Sequence, residues 1–116
     1  MKDAVVTAIE DIKGFDITVL DVTKLTSMTS YMIICSANSS RQTKAIADHI
    51  HVDLKAKGFV PRGLEGEKDG DWVLVDLDDV VVHIMVPATR AYYNLEQLWG
   101  GESKHVTADT LKPTAT

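Results

Sequence analysis

The stretch from Asp71 to Gly100 (DWVLVDLDDVVVHIMVPATRAYYNLEQLWG) leaves the chain little choice of fold. Two valine-rich runs flank the acidic pair Asp78-Asp79, and a helical pattern follows at once. Branched and aromatic residues suit a pleated sheet and adjacent aspartates suit a turn, so the first half reads as a β-hairpin. With Leu77 and Asp78 as a two-residue loop, Asp76 faces Asp79, Leu74 faces Val81 and Trp72 faces His83. Moving the turn by one residue changes these partners but not the faces, because side chains alternate with period two.

The two faces differ in kind. One carries Val73, Val75, Val80, Val82 and Ile84, as a buried sheet face should. The other carries Trp72, Leu74, Asp76, Asp79, Val81, His83 and Met85, which mixes apolar bulk with charge and one imidazole. Aromatic residues and Met concentrate at interface centres, so this face suits a surface that another molecule covers. The competing reading packs Trp72 and Met85 beneath the chain's own helices.

Around the hairpin, periodicity places the other elements. Asp3 is positioned to cap a first helix in which Val5, Ala8, Ile9 and Ile12 form one face, and Gly14 ends it. Asp16 to Val22 reads as a strand, and Tyr31 to Ser36 is a short apolar run suited to a central strand with both faces covered. A helix follows over Asn38 to Lys57. Ser39 and Gln42 have capping-box spacing, Ile46, Ile50 and Leu54 form the stripe, and Gly58 stops it. Phe59 to Glu65 is a strand that Pro61 confines to an edge or a bulge. Glu65 to Asp71 (EGEKDGD) is a polar loop into the hairpin. After it, Pro87 suits a first helical turn, and Ala91, Leu95, Leu98 and Trp99 form a stripe that Tyr92 flanks. Arg90, Tyr93 and Gln97 point elsewhere, and Gly100-Gly101 ends the helix.

The element order is helix, two strands, helix, three strands, helix. A helix joining strands of one sheet favours a parallel crossover, whereas the hairpin is antiparallel, so the sheet is mixed. The expected fold is α/β in the α+β sense: one domain over residues 1–101, with helices packed on a mixed five-stranded sheet. Residues 102–116 hold little periodicity and read as a disordered tail.

At 116 residues the chain is one domain in length. Its net charge of −5 removes the counterion-release term that drives phosphate-backbone binding, so direct nucleic-acid binding is disfavoured. Cys35 is the only cysteine and lies in an apolar run, which suits a buried thiol. No apolar run approaches the roughly 18 residues of a membrane span, and no signal-peptide pattern opens the sequence, so no membrane role and a cytoplasmic location are expected.

Trp72-Val-Leu-Val-Asp76, Asp79-Val-Val-Val-His83, Arg90, Tyr93-Asn-Leu-Glu96 and Leu98-Trp99-Gly100 together resemble the core signature of the Iojap-related ribosomal silencing factors. Asn38-Ser-Ser-Arg41-Gln42, Ala45-Ile46-Ala47-Asp48 and Glu65-Gly66 are similar to that family's other recurrent residues, in the same order. The sequence departs from the pattern at Ala37 and Asp78, where glycine is usual, and at Ser30, where an acid is usual. The resemblance implies a nucleotidyltransferase-like fold and a binding protein without cofactor. It implies docking on the large ribosomal subunit, through the protein called L-fourteen, and steric exclusion of the small subunit. On that reading Trp72 is the anchor, with Leu74 and Met85 around it. Asp71, Asp76 and Asp79 meet basic side chains, His83 is a hydrogen-bonded interface residue, and Arg90 and Tyr93 are further contacts. The same face would also suit a homodimer.

Two other functions are open to such a chain. A large-subunit assembly factor would use the same surface. A metal-dependent nucleotidyltransferase needs a Gly-Ser phosphate loop and convergent carboxylates for Mg²⁺. Ser36-Ala-Asn-Ser39 opens a helix but lacks glycine, and Asp76 and Asp78, though correctly spaced, fall at a turn where Asp is favoured locally. His49 and His51 stand two apart on a helix and so face apart, a poor metal pair. The expectation is no catalytic residue and no metal site.

Overall fold

A computed structural model describes residues 1–66 and 68–95 and the backbone of residues 103–105. Its first helix, α1, covers Lys2–Asp11 and buries Val5, Ala8 and Ile9. Asp3 does not cap it. Met1 occupies that position, its carbonyl accepting from the Val5 amide, and Asp3 sits within the first turn, where the helix dipole favours a carboxylate. Lys13, at φ 66°, reverses the chain one residue before Gly14. Glycine is required at 14 for space rather than for φ: a Cβ there would lie 2.4 Å from Ile9 Cγ2 and 3.2 Å from Ile46 Cδ1.

The strands are β1 (Phe15–Asp21), β2 (Tyr31–Ser36), β3 (Gly63–Glu65), β4 (Trp72–Asp76), β5 (Val80–Met85) and β6 (Ser103–His105), in the sheet order β3-β4-β5-β2-β1-β6. β2 runs parallel to β5 and antiparallel to β1, so the sheet is mixed and β2 is interior, as its continuous apolar run requires. The second helix, α2 (Ser40–Ala56), buries Ile46, Ile50 and Leu54, and the Ser39 side chain caps it by accepting from the Gln42 amide. Gln42 completes the box one residue early: its Oε1 accepts from the Asn38 amide, and its Nε2 donates to the Ile12 carbonyl, tying α1's exit to α2's start.

Three expected boundaries move. Only the last three residues of the stretch from Phe59 pair as β3, at the sheet's edge, since Pro61 lacks the amide a longer strand would need. The helix from Pro87, α3, ends at Tyr93, and Asn94 adopts the left-handed conformation at φ 48°. Ala91, assigned to an apolar stripe, is exposed, and Leu98 and Trp99 lie outside the described residues. Finally, Ser103–His105 were assigned to a disordered tail, yet they pair antiparallel with β1 as a sixth strand. The free amides and carbonyls along an edge are a template for such pairing, whatever the segment's composition. The rest of residues 102–116 lies outside the described residues.

The sheet's faces are covered unequally. Beneath α1 and α2 lies the main core, where Ile17, Ile33, Val73, Val75, Val82 and Ile84 meet Ile9, Ile46, Ile50 and Leu54. The opposite face holds a smaller cluster of Leu20, Val22, Met32, Ile34 and Met85, with Trp72 and Leu95 packed partly against it.

Candidate functional site

The hairpin's face of Val73, Val75, Val80, Val82 and Ile84 is fully buried, and its mixed face is only partly so. The register differs from the simplest turn: Trp72 lies opposite Met85, Leu74 opposite His83 and Asp76 opposite Val81. The cause is local. Asp76 Oδ1 accepts from the Asp78 amide at 2.8 Å, and the Leu77 amide donates to the Val80 carbonyl at 2.9 Å, which moves the loop to Asp78-Asp79. Asp78 adopts φ 72°, a conformation that Asp tolerates better than most residues. The shift is even, so every side chain keeps its face.

Along the mixed face the burial is graded. At the end near α3, Met85 is fully buried and His83 nearly so, at 7% exposure. Both were expected at a partner surface, and the structure places them in the protein's own second core. Trp72 is half-buried. Its indole N–H donates to His83 Nδ1 at 2.9 Å, and its ring lies against that of Tyr93, with centroids 4.7 Å apart. Burial lowers the His83 pKa from 6.5 to about 4, so the ring is neutral, with its proton on Nε2 and the Nδ1 lone pair free to accept.

Towards the turn the face opens. Leu74, Asp76 and Val81 are half-buried, and Asp79 and Asp71 are exposed. The acids are not equally available. Asp76 is engaged in the turn, Asp79 Oδ1 accepts from the Ser30 hydroxyl at 2.6 Å, and Asp78 pairs with Arg62 at 2.7 Å. Ser30 thus stands where an acid would have faced Asp79, and it supplies a donor instead. Among the described residues, Asp71 has no side-chain hydrogen bond or ion pair.

Arg90 corrects a further expectation. Rather than reaching outward, its guanidinium donates to the Asp16 carbonyl at 2.6 Å, to Ser36 Oγ at 2.9 Å and to Thr18 Oγ1 at 3.1 Å. It clamps α3 across the bulge in β1, where Asp16 takes φ 51° and the register slips. Tyr93, one helical turn along, is 52% exposed and remains available.

Beside Trp72 the loop from Gly66 folds back and, with α3, encloses an open depression of about 270 Å³ lined by Gly66, Asp69, Asp71, Trp72, Thr89 and Tyr93. Gly66 has φ 89°, and a Cβ there would stand 2.1 Å from the Trp72 carbonyl oxygen, so only glycine lets the loop pass. Gly70 (φ 80°) is pressed against Ser40, and its carbonyl accepts from the Thr43 hydroxyl, which docks the loop on α2. Gly66 is among the residues that carry the family resemblance, whereas nothing in the sequence singles out Asp69 and Thr89. The paired glycines of EGEKDGD were the available signal, because two glycines in a short acidic loop mark a path that side chains would block.

Asp76 and Asp78 are taken up by the turn and Arg62, and among the described residues no three His, Cys, Asp or Glu side chains converge at metal-binding distance. Ser36 and Ser39, in the loop that opens α2, are engaged by Arg90 and the helix cap, and the Asn38 amide is satisfied by Gln42. Cys35 is fully buried, and that burial pushes its thiol up to about 12 despite the nearby Arg90 charge. No helix among the described residues is long and apolar enough to cross a membrane.

Comparison with known proteins places these features in a family. The model for "Ribosomal silencing factor during starvation" matches residues 1–116. A ribosomal silencing factor of Chromobacterium violaceum is 50% identical over 106 residues, spanning 91% of this chain and 87% of that one. A crystal structure of a protein from the same organism superposes with a TM-score of 0.84 at 47% identity, covering 97% of this chain and 93% of the other. More distantly, a mouse protein named for mitochondrial assembly of the ribosomal large subunit is 31% identical over 102 residues, 84% of this chain and 44% of the mouse protein.

Proposed function

Because the chain belongs to the ribosomal silencing factor family, we propose that it represses translation by docking on the large ribosomal subunit and excluding the small subunit by bulk. The partner in this reading is the large-subunit protein called L-fourteen, and no chemistry is performed. The observation that carries it is the half-open second face of the sheet. Trp72, Leu74 and Val81 stay half-buried there beside the exposed Asp71 and Asp79, on a chain of net charge −5. A surface with an apolar centre and an acidic rim suits a basic protein.

The anchor is Trp72. His83 and Tyr93 hold its ring in one orientation before any partner arrives, which lowers the ordering cost of binding. Truncating a buried aromatic anchor typically costs over ~2 kcal/mol, about thirtyfold in affinity, whereas an exposed rim charge costs well under ~1 kcal/mol. Trp72→Ala therefore weakens large-subunit binding far more than Asp79→Asn. Sedimentation of purified subunits with the protein reads both docking and joining. The expected result is a loss of joined ribosomes that Trp72→Ala relieves. Undiminished joining at a several-fold excess of the unaltered protein rejects the proposal.

The mouse relative's name favours a second reading, a large-subunit assembly factor using the same face. Co-sedimentation with precursor rather than mature large subunits separates it from the first.

A further inference from the structure

The depression beside the anchor has walls and a charge that specify its occupant. Two aromatic rings, Trp72 and Tyr93, meet at 49° along one side. Asp69 and Asp71 lie at its exposed rim, and among the described residues neither carboxylate has a hydrogen bond or an ion pair. The Trp72 N–H is already committed to His83, so the indole has only its π surface left to offer. We infer that this depression is a socket for one basic side chain of the docked protein, arginine in preference to lysine. A guanidinium stacks on aromatic faces and binds carboxylates with a planar fork, satisfying both kinds of wall at once. A phosphate would meet two carboxylates and be repelled. An apolar side chain would pack on the rings but leave both carboxylates without a partner.

The backbone supports a built site rather than a chance hollow. Gly66 passes so close to the Trp72 carbonyl that no side chain fits, and the Thr43 hydroxyl holds the far end of the loop at Gly70. Asp69 is therefore carried between two fixed points of the loop, and Asp71 follows directly after the second. That the cation belongs to a ribosomal protein rests on the docking reading; the socket's preference for a cation does not.

The test uses the full chain and two small probes, N-acetylarginine amide and its neutral isostere N-acetylcitrulline amide. The Trp72 indole N–H resonance, assigned by its loss in Trp72→Phe, is followed by NMR. The arginine probe is expected to shift the Trp72 resonance in a saturable way and the citrulline probe is not. In the Asp69→Asn, Asp71→Asn double variant the affinity for the arginine probe falls at least about fivefold, as befits two exposed carboxylate contacts. Thermal unfolding confirms that the variant is folded. Equal shifts from citrulline, an undiminished response in the double variant, or no response up to the probe's solubility limit overturns the socket. Sedimentation of the unaltered protein with large subunits reports on docking separately, so failure of one is not mistaken for failure of the other.

Discussion

Trp72 and His83 form a pair in which each fixes the other. The imidazole accepts at Nδ1 only while neutral, and its burial keeps it so, with a pKa lowered to about 4. A histidine of ordinary pKa near 6.5 in the unfolded chain binds a proton between those values that the folded chain refuses. Stability is then fully present above pH 6.5 and declines as pH falls towards 4, by at most about 3 kcal/mol from this residue. Urea titrations at pH 7 and pH 4.5 check this. His83→Gln keeps an acceptor for the indole without titrating, so it should flatten that part of the pH dependence. An unchanged slope in the variant would assign the loss to other groups. The sequence suggests a hydrogen-bonded His83, but neither its partner nor its burial is legible there, because both depend on packing.

At the scale of elements, the hairpin shows which features are local and which are not. Its faces followed from alternation alone, so valines 73, 75, 80 and 82 were legible as core. Its register depended on one side-chain bond from Asp76, which composition does not announce. The junction between α1 and β1 is tighter still. Gly14→Ala drives a methyl into Ile9 and against Ile46, and overpacking of this kind costs about 1–3 kcal/mol. The expected outcome is a lower urea midpoint with an unchanged slope, while Gly63→Ala, where an added Cβ meets nothing within 4 Å, shows little effect from crowding. Arg90 marks the opposite failure of sequence reading. A charged residue on a helix face away from its apolar stripe normally meets solvent, yet here three acceptors on β1 and β2 lie within its reach.

For the molecule as a whole, charge and coverage decide how it can act. One face of the sheet is covered by α1 and α2; on the other, Leu20, Val22, Met32, Ile34 and Met85 are buried, and the opening lies on the hairpin, at Trp72, Leu74 and Val81. With a net charge of −5, docking on a basic protein should weaken as salt rises, because rim charges act over a Debye length of about 10 Å at 0.1 M. Sedimentation at about 50 and 200 mM salt should show a several-fold loss of binding, and salt-independent binding would point to an interface without a charged rim. A second copy of the chain would compete for the same half-open face. Mass measured against concentration tests that competition, and dimer formation that Trp72→Ala abolishes would place both partners on one surface.

The order of elements as far as α3, the buried hairpin face, the capped central helix and the family signature were all written in the sequence. Each depends on periodicity or on contacts within a few residues, which the chain carries wherever it goes. Which side of the mixed face is open was decided only by tertiary structure, because it depends on packing between segments distant in sequence. That packing buries Met85 and His83, ties Arg90 to β1 and β2, sets Tyr93 against Trp72, and leaves Leu74 and Asp71 at the surface. It also brings Asp69 and Tyr93 to one hollow, a meeting that no local pattern records.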